Sequence, residues 1–296
     1  MDTKLTVLVS GATGNQGGAV SRSLIAGGHQ VRALTRNTDS PKTKALTALG
    51  VDVRQGNFDD EDAVANALKG VDSFYLMGSP LEIGVEGETA QGIKLANAAR
   101  TAGVGHLVYG SVANADLDTG IPHFDSKYKV EQHIKTLDIP YTITAPAFFM
   151  DNVIAPWSID ALVAGKIMQA MPGDRVLQEV SVKNIGDFVA SIIGRRDSVF
   201  GKRFDYAGDE LTGNESAAIL TQATGHPIQY ESFPVSVLKE QSEDMAAMFD
   251  WFDRVGYSID IKTLHRDFSD INWQNYRDWV DSQNWQFLEP KAVGHN

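Results

Sequence analysis

The chain contains no cysteine. Disulfides, thiolate nucleophiles and cysteine-built metal sites are therefore excluded. It also lacks any apolar run near the roughly 20 residues needed to cross a bilayer. Positive charge is in deficit. The formal net charge is −12 at pH 7, with 13 Lys+Arg against 16 Asp+Glu in residues 1–150 and 13 against 22 in residues 151–296. Such a balance repels nucleic acid and anionic membranes, and neither is expected as a partner; the same charge also serves plain solubility. Internal repeats and low-complexity segments are missing. The N-terminus, Met1-Asp2-Thr3-Lys4-Leu5, leads straight into an apolar run without the pattern of a secretion signal, so a cytoplasmic location is expected.

What is present is length, and glycine in a particular place. The 296 residues, 43% hydrophobic, suit a nucleotide domain with a smaller addition. The run Leu5 to Val9 ends in Ser10-Gly11-Ala12-Thr13-Gly14-Asn15-Gln16-Gly17, and a helix-forming run, Ala19 to Ala26, follows at once. Strand, glycine turn and helix in this order form the entry to a dinucleotide site. Gly11 suits a turn that a Cβ would block. Gly14 lets the backbone approach a pyrophosphate, and Gly17 lets the helix pack closely on the strand. The helix start then offers N–H groups and partial positive charge to phosphates. Thr13, Asn15 and Gln16 lie in the same turn and are read with the glycines as cofactor contacts.

Further strands are predicted at Gln30–Thr35, Val51–Gln55, Val71–Met77, Leu107–Ser111 and Tyr141–Ala145. Helices are predicted from Pro41 to about Leu49, over Ala63–Leu68, from Glu86 to Ala102 and from Asp125 to Leu137. The acidic run Asp59-Asp60-Glu61-Asp62 reads as a helix cap with acids in its first turn, and no metal is expected. This alternation means a doubly wound parallel sheet with helices on both faces over residues 1–150. Past Pro146 the rhythm changes to a smaller, mixed α+β lobe over residues 151–296, partly interleaved with the sheet. There a strand is predicted at Val176–Val182, a helix from there through Ile193, a helix capped by Thr212, a strand at Ile228–Phe233 and one helix from Pro234 towards Asp253. Trp273, Tyr276 and Val280 fall at helical spacing and read as core packing.

These residues carry a resemblance. GATGNQGG at the first turn, Leu34-Thr35-Arg36 after the second strand and Ile121-Pro122-His123-Phe124-Asp125-Ser126-Lys127 entering a later helix are similar to the NmrA-like group of atypical short-chain dehydrogenases. Ala147-Phe148-Phe149-Met150-Asp151-Asn152 resembles that group's segment after the sixth strand. The resemblance spans essentially the whole chain and is strongest over residues 5–152. It implies a Rossmann-type fold and dinucleotide binding. The group holds both reductases and proteins that bind the dinucleotide as redox sensors, so activity stays open.

The usual NAD site places an acid at the end of the second strand, against the adenosine ribose. Here the sequence reads Thr35-Arg36-Asn37-Thr38, with no acid before Asp39. The planar fork of Arg36 suits a 2′-phosphate that a carboxylate would repel, so NADP(H) is expected over NAD(H); the alternative is a solvated loop charge. The resemblance implies that Gly56-Asn57-Phe58 flank the adenine, where many relatives have Asp at the Asn57 position. Gly78 and Ser79, at the end of the fourth strand, are expected to face the ribose or nicotinamide side.

A short-chain dehydrogenase needs Tyr-x-x-x-Lys on one helix face, the lysine lowering the tyrosine pKa and holding the nicotinamide ribose. The lysine is present as Lys127, but His123 stands where the tyrosine would be, and Tyr128 points elsewhere. Two readings follow. In one, the protein is an NADPH-dependent reductase of an apolar electrophile such as a quinone, enone, azo compound or dye. Lys127 then holds the ribose, His123 gives a proton and Ser111 bonds a substrate oxygen, while Phe148, Phe149 and Met150 wall the acceptor at the sheet edge beside the lobe. In the other, it is a non-catalytic NADP(H) sensor acting through a regulatory protein partner. For His123 a helix-entry role, for Ser111 a strand-end cap and for the three apolar residues core packing are the alternatives. The oligomeric state is open.

Overall fold

The computed structural model describes residues 4–288, without the side chains of residues 80–82. The chain runs β1 (Thr6–Val9), α1 (Asn15–Ala26), β2 (Gln30–Thr35), α2 (Pro41–Ala48), β3 (Asp52–Gln55), α3 (Glu61–Leu68), β4 (Ser73–Met77), α4 (Pro80–Thr101), β5 (His106–Gly110), α5 (Pro122–Thr136) and β6 (Tyr141–Pro146). It continues as β7 (Phe148–Phe149), α6 (Ile159–Val163), β8 (Lys166–Gln169), β9 (Val176–Val180), α7 (Val182–Arg195), β10 (Arg203–Tyr206), β11 (Asp209–Thr212), α8 (Gly213–Thr224) and β12 (Gln229–Ser232), followed by α9 (Val235–Lys239), α10 (Glu243–Arg254), α11 (Ile261–Asp267) and α12 (Tyr276–Asp281).

Two compact units result. The first gathers Met1–Pro146, Val182–Tyr206 and Leu264–Ile271. Its seven strands form one parallel sheet in the order β10-β6-β5-β4-β1-β2-β3. The order reverses direction at β1, and the carboxyl ends beside this switch point are where such sheets take ligands. The central strands are covered on both faces, so they read as continuous apolar runs rather than as alternation. Leu8, Phe74, Leu76, Leu107 and Ile143 pack in one cluster with Leu95, Val130 and Ile134 from α4 and α5. In α7, Phe188 stacks on Tyr206 of β10 at 4.2 Å between ring centres.

The second unit gathers Ala147–Ser181, Ala207–Thr263 and Asn272–Asn296. It holds a three-stranded sheet, β11-β9-β7, and a parallel pair, β12-β8. Met150, Leu220, Tyr276, Trp279 and Val280 share its core.

The doubly wound fold with a mixed addition is thus as read from the sequence. Local departures have local causes. The first helix starts at Asn15, directly after Gly14, and not at Ala19. The fourth starts at Pro80 but is broken at Gly84 (φ 71°, ψ 171°), so its regular turns begin near the predicted Glu86. The fifth starts at Pro122, a favoured first position for proline, which puts His123 inside its first turn. The single helix expected from Pro234 is two, because the Ser242 hydroxyl accepts from Met245 N (3.2 Å) and caps a fresh start. Trp273 lies outside α12, whose start is fixed by a capping box between Asn275 and Asp278. The acidic run does cap α3: Asp60 accepts from Ala63 N at 3.0 Å. Among the described residues no group of acids and histidines fit to hold a metal is found, and no helix is long and apolar enough to cross a membrane.

Candidate functional site

The glycine turn is built from the end of β1 outward. The Ser10 hydroxyl accepts from Met77 N (2.7 Å) and donates to Met77 O (3.0 Å), clipping the ends of β1 and β4 together. Gly11 then takes φ +61°, a left-handed conformation that side chains resist. Gly14 N donates to Gly11 O at 2.8 Å and closes the turn. A Cβ on Gly17 would stand 2.4 Å from Gly11 O and 2.7 Å from Ser10 O, both backbone atoms, so only glycine permits this approach of α1. Gln16 is anchored by donating to the buried Tyr75 hydroxyl (2.6 Å). No side chain caps α1, as is also the case for α4, α5, α6 and α9, whereas Ser40, Asp60, Thr212, Ser242 and Asn275 cap α2, α3, α8, α10 and α12. Uncapped first-turn N–H groups above a turn whose only side chains are those of Ala12 and Thr13 fit a pyrophosphate. Thr13 is half-buried, and Asn15 is exposed at the helix start.

At the end of β2, Arg36 and Asn37 are exposed. The loop is held from beneath: Asp39 N donates to Asn37 Oδ1 (2.9 Å), and the Thr43 hydroxyl donates to Asn37 O (2.8 Å). Gly56 N donates to Thr35 O at 2.9 Å, bringing the exit of β3 alongside. There the Asn57 carboxamide oxygen accepts from Asp59 N (3.1 Å), which uses one of its two lone pairs. Phe58 is half-buried against the core of the first unit.

Past β4, Gly78 and Ser79 are half-buried and lead into α4. Lys127 of α5 is 12% exposed and meets the buried carboxylate of Glu88 on α4 at 2.5 Å. The Ser126 hydroxyl donates to the other Glu88 oxygen at 2.7 Å. Glu88 was not singled out from the sequence. A signal existed in Gly92, one turn further along α4, because a Cβ there would stand 2.8 Å from a Val130 methyl of α5. Glycine inside a helix marks close approach of a partner, and an acid one turn away shares that face. His123 is half-buried one turn before Lys127, its ring edge-on to Phe124 at 4.8 Å. Tyr128 lies instead beneath Lys135, whose Nζ stands 5.4 Å from its ring centre.

Ser111, at the exit of β5, is buried, and its hydroxyl proton goes to Glu131 of α5. A hydroxyl has one proton, so Ser111 has none left to donate to a substrate oxygen. Glu131 in turn accepts from Arg203 Nε of β10 at 3.0 Å. Arg203 also pairs with Asp205 and donates to Val112 O (2.9 Å). Burial pushes the Glu131 carboxyl up, against the pull of Arg203 and Ser111. This chain of pairs joins the β5 exit, α5 and β10, and it too was not foreseen.

In the second unit, Phe148, Phe149 and Met150 line a narrow cleft with a free volume of about 20 Å³, room for about one water. Phe148 also meets Phe252 edge-on at 5.9 Å, and Met150 is fully buried.

The parallel sheet with its switch point at β1, the glycine cradle and the uncapped helix define a dinucleotide-binding protein of the Rossmann class. More narrowly, residues 3–281 match the NmrA-like family, and the chain belongs to it, a family of NAD(P)-binding proteins that includes oxidoreductases. It is 34% identical to the NmrA-like family domain-containing oxidoreductase FrzB of Cladobotryum sp. over 84% of each chain. It is 29% identical to quinone oxidoreductase 2 of Escherichia coli (strain K12), over 76% of this chain and 77% of that one. Among solved structures it resembles the Citrobacter sp. triphenylmethane reductase complexed with NADP(H) (TM-score 0.79, 23% identity, 93% of this chain and 98% of that one). It also resembles the NADPH-dependent quinone oxidoreductase from Escherichia coli complexed with NADPH (0.77, 28%, 93% and 98%). Nmra, a negative transcriptional regulator solved with NAD, superposes with TM-score 0.77 at 19% identity, over 94% of this chain and 95% of that one.

Proposed function

We propose that this chain is an NADPH-dependent reductase of apolar electrophiles of the quinone, enone, azo or dye type. The observation that carries the reading is Lys127, a largely buried ammonium fixed by Glu88 on the helix that follows β5, with histidine and not tyrosine one turn before it. NADPH, when bound, supplies a hydride. The chain's residues do the rest. The first-turn N–H groups of α1 hold the pyrophosphate, and Arg36, with no acid at the end of β2, attracts the 2′-phosphate. Asn57 and Phe58 flank the adenine, and Gly78 and Ser79 border the ribose. Lys127 binds the nicotinamide ribose hydroxyls and orients the ring. His123 gives the single proton that accompanies hydride in converting a quinone to a hydroquinone. An electron-poor acceptor needs no tyrosine to stabilise an alkoxide, which suits a site without one. The name of the Escherichia coli quinone oxidoreductase, and the NADPH bound to its structure, support the same reading.

The test has two arms. NADP(H) and NAD(H) are titrated against wild type and Arg36→Ala; tighter binding of NADP(H), lost in the variant, is expected, and equal affinity for both in wild type overturns the preference. NADPH oxidation is then followed over quinones, enones and azo dyes with wild type and His123→Ala. Turnover in wild type, with a changed pH profile in the variant, is expected. Tight NADPH binding with no turnover on any acceptor replaces the reductase with the regulator reading, which the loss of tyrosine suits equally.

A further inference from the structure

The outer edge of the sheet in the first unit carries a cleft that no step of the proposed reaction uses. It lies between the edge strand β3, its neighbour β2 and α3, with a free volume of about 430 Å³. The charged side chains that line it are Arg32, Arg54 and Lys69, all cationic, in a chain whose formal net charge is −12. Register explains the placement. Arg32 pairs with Asp52 and Leu34 with Arg54, so Arg32, Asp52 and Arg54 share the sheet face that α3 covers. Arg32 Nε donates to Asp52 Oδ2 (2.9 Å), while Arg54 donates through Nε to Oδ1 (2.8 Å) and through Nη2 to Oδ2 (3.0 Å). Arg32 Nη1 closes the end of α3 by donating to Ala67 O (2.9 Å) and Lys69 O (2.8 Å). Each guanidinium keeps one terminal nitrogen, Arg32 Nη2 and Arg54 Nη1, that donates to no described residue. Asp52 holds both forks before a ligand arrives, so binding has little ordering left to do. Gln55 and Asn66 border the cleft with exposed carboxamides, and the rest of the lining is alanine. No aromatic side chain is among these residues to stack on a base.

We propose that this cleft binds a phosphate monoester on a polar, hydroxyl-bearing body, a ligand of the sugar-phosphate class. Arg32, its side chain 14% exposed, forms the floor under the phosphate, and Arg54, 56% exposed, meets it at the rim with Lys69. The hydroxyls of the body meet the carboxamides of Gln55 and Asn66. A monoester carries about −1.5 to −2 charge at pH 7 and three terminal oxygens, which matches three cationic donors better than the single charge of one carboxylate. The free volume falls within the roughly 300–1,000 Å³ of small-molecule sites.

Glucose 6-phosphate is the probe, with glucose and inorganic phosphate as controls. Calorimetric titration of the full chain, with and without saturating NADPH, reads the outcome. Wild type is expected to bind glucose 6-phosphate equally well in both conditions, inorganic phosphate about tenfold more weakly for want of the body, and glucose not measurably. Arg54 and Lys69 are exposed, so Arg54→Gln and Lys69→Gln are expected to melt as wild type does while each weakens glucose 6-phosphate about tenfold. Equal affinity for inorganic phosphate would reduce the cleft to a bare anion contact and overturn the proposal. So would binding that NADPH abolishes, binding that both variants retain, or no heat at millimolar probe. The two variants locate the site by themselves, and hydride transfer plays no part in it. A chain that failed to bind NADPH or to reduce any acceptor would therefore leave this result standing.

Discussion

At the scale of single residues, Glu88 decides how Lys127 is held. A buried carboxylate and a largely buried ammonium stabilise each other only as a pair, because either alone faces the desolvation cost without return. Glu88→Gln is therefore expected to lower stability by about 3 kcal/mol, somewhat less if water reaches the partly open lysine. Lys127→Met in the same chain removes the orphaned charge and is expected to restore much of the loss. Denaturant unfolding of the two single variants and the double one measures the coupling; additive losses would show that the pair is not a unit. Such pairs were illegible in the sequence, since their members lie far apart along the chain. Glu131 and Arg203, 72 positions apart, are another case. The glycine turn was legible, because it belongs to a short pattern whose geometry is local.

At the scale of elements, the contact of α1 with the β1 turn is the most demanding in the first unit. Gly17→Ala places a methyl against two backbone oxygens that cannot rotate away. A cost of about 1–3 kcal/mol is expected, with weaker NADPH binding as the helix start moves. Gly14→Ala is the control, because its Cβ would approach only Gly11 O, at 3.2 Å. It is expected to melt close to wild type and yet bind NADPH more weakly. Thermal melts and NADPH titrations of both variants separate helix packing from phosphate approach, and equal melting losses would undo the distinction. Elements followed the sequence where periodicity or a cap signals them, as with Thr212, whose capping box with Glu215 starts α8 as read. β10 escaped detection: Arg203-Phe204-Asp205-Tyr206 alternates charged and aromatic residues, and its partner β6 comes much earlier in the chain. Only pairing across that separation makes it a strand of the parallel sheet.

At the scale of the whole molecule, pH acts on each unit through a different buried group. His106 of β5 is held down to about 3 by burial, with Arg196 adding to the effect. Below its ordinary value of 6.5 the unfolded chain takes a proton that the folded one refuses, so stability falls as pH drops from about 6.5 towards 3. Glu179 in the second unit is shifted the opposite way, from 4.5 to about 8. The folded chain there keeps a proton that the unfolded one has released, so stability falls as pH rises from about 4.5 to 8. His106→Gln is expected to flatten the acid side of a plot of melting temperature against pH, and Glu179→Gln the neutral-to-alkaline side. Unchanged slopes in both variants would show that other groups set the limits.

The order in which the sheet of the first unit is assembled has a consequence for synthesis. Its outermost strand beside β6 is made only after β7, β8, β9 and α7 have left the ribosome. At the usual pace of translation that is an interval of seconds, long compared with strand pairing. Throughout it β6 is an unprotected edge, and Glu131 must wait for the arginine that neutralises it. A nascent chain in this state exposes a strand edge and an acid with only Lys135 of its own helix, 4.0 Å away, against it. The arrival of Arg203–Tyr206 closes both at one stroke, and a chain stopped short of it is one that a cell's chaperones would be expected to hold.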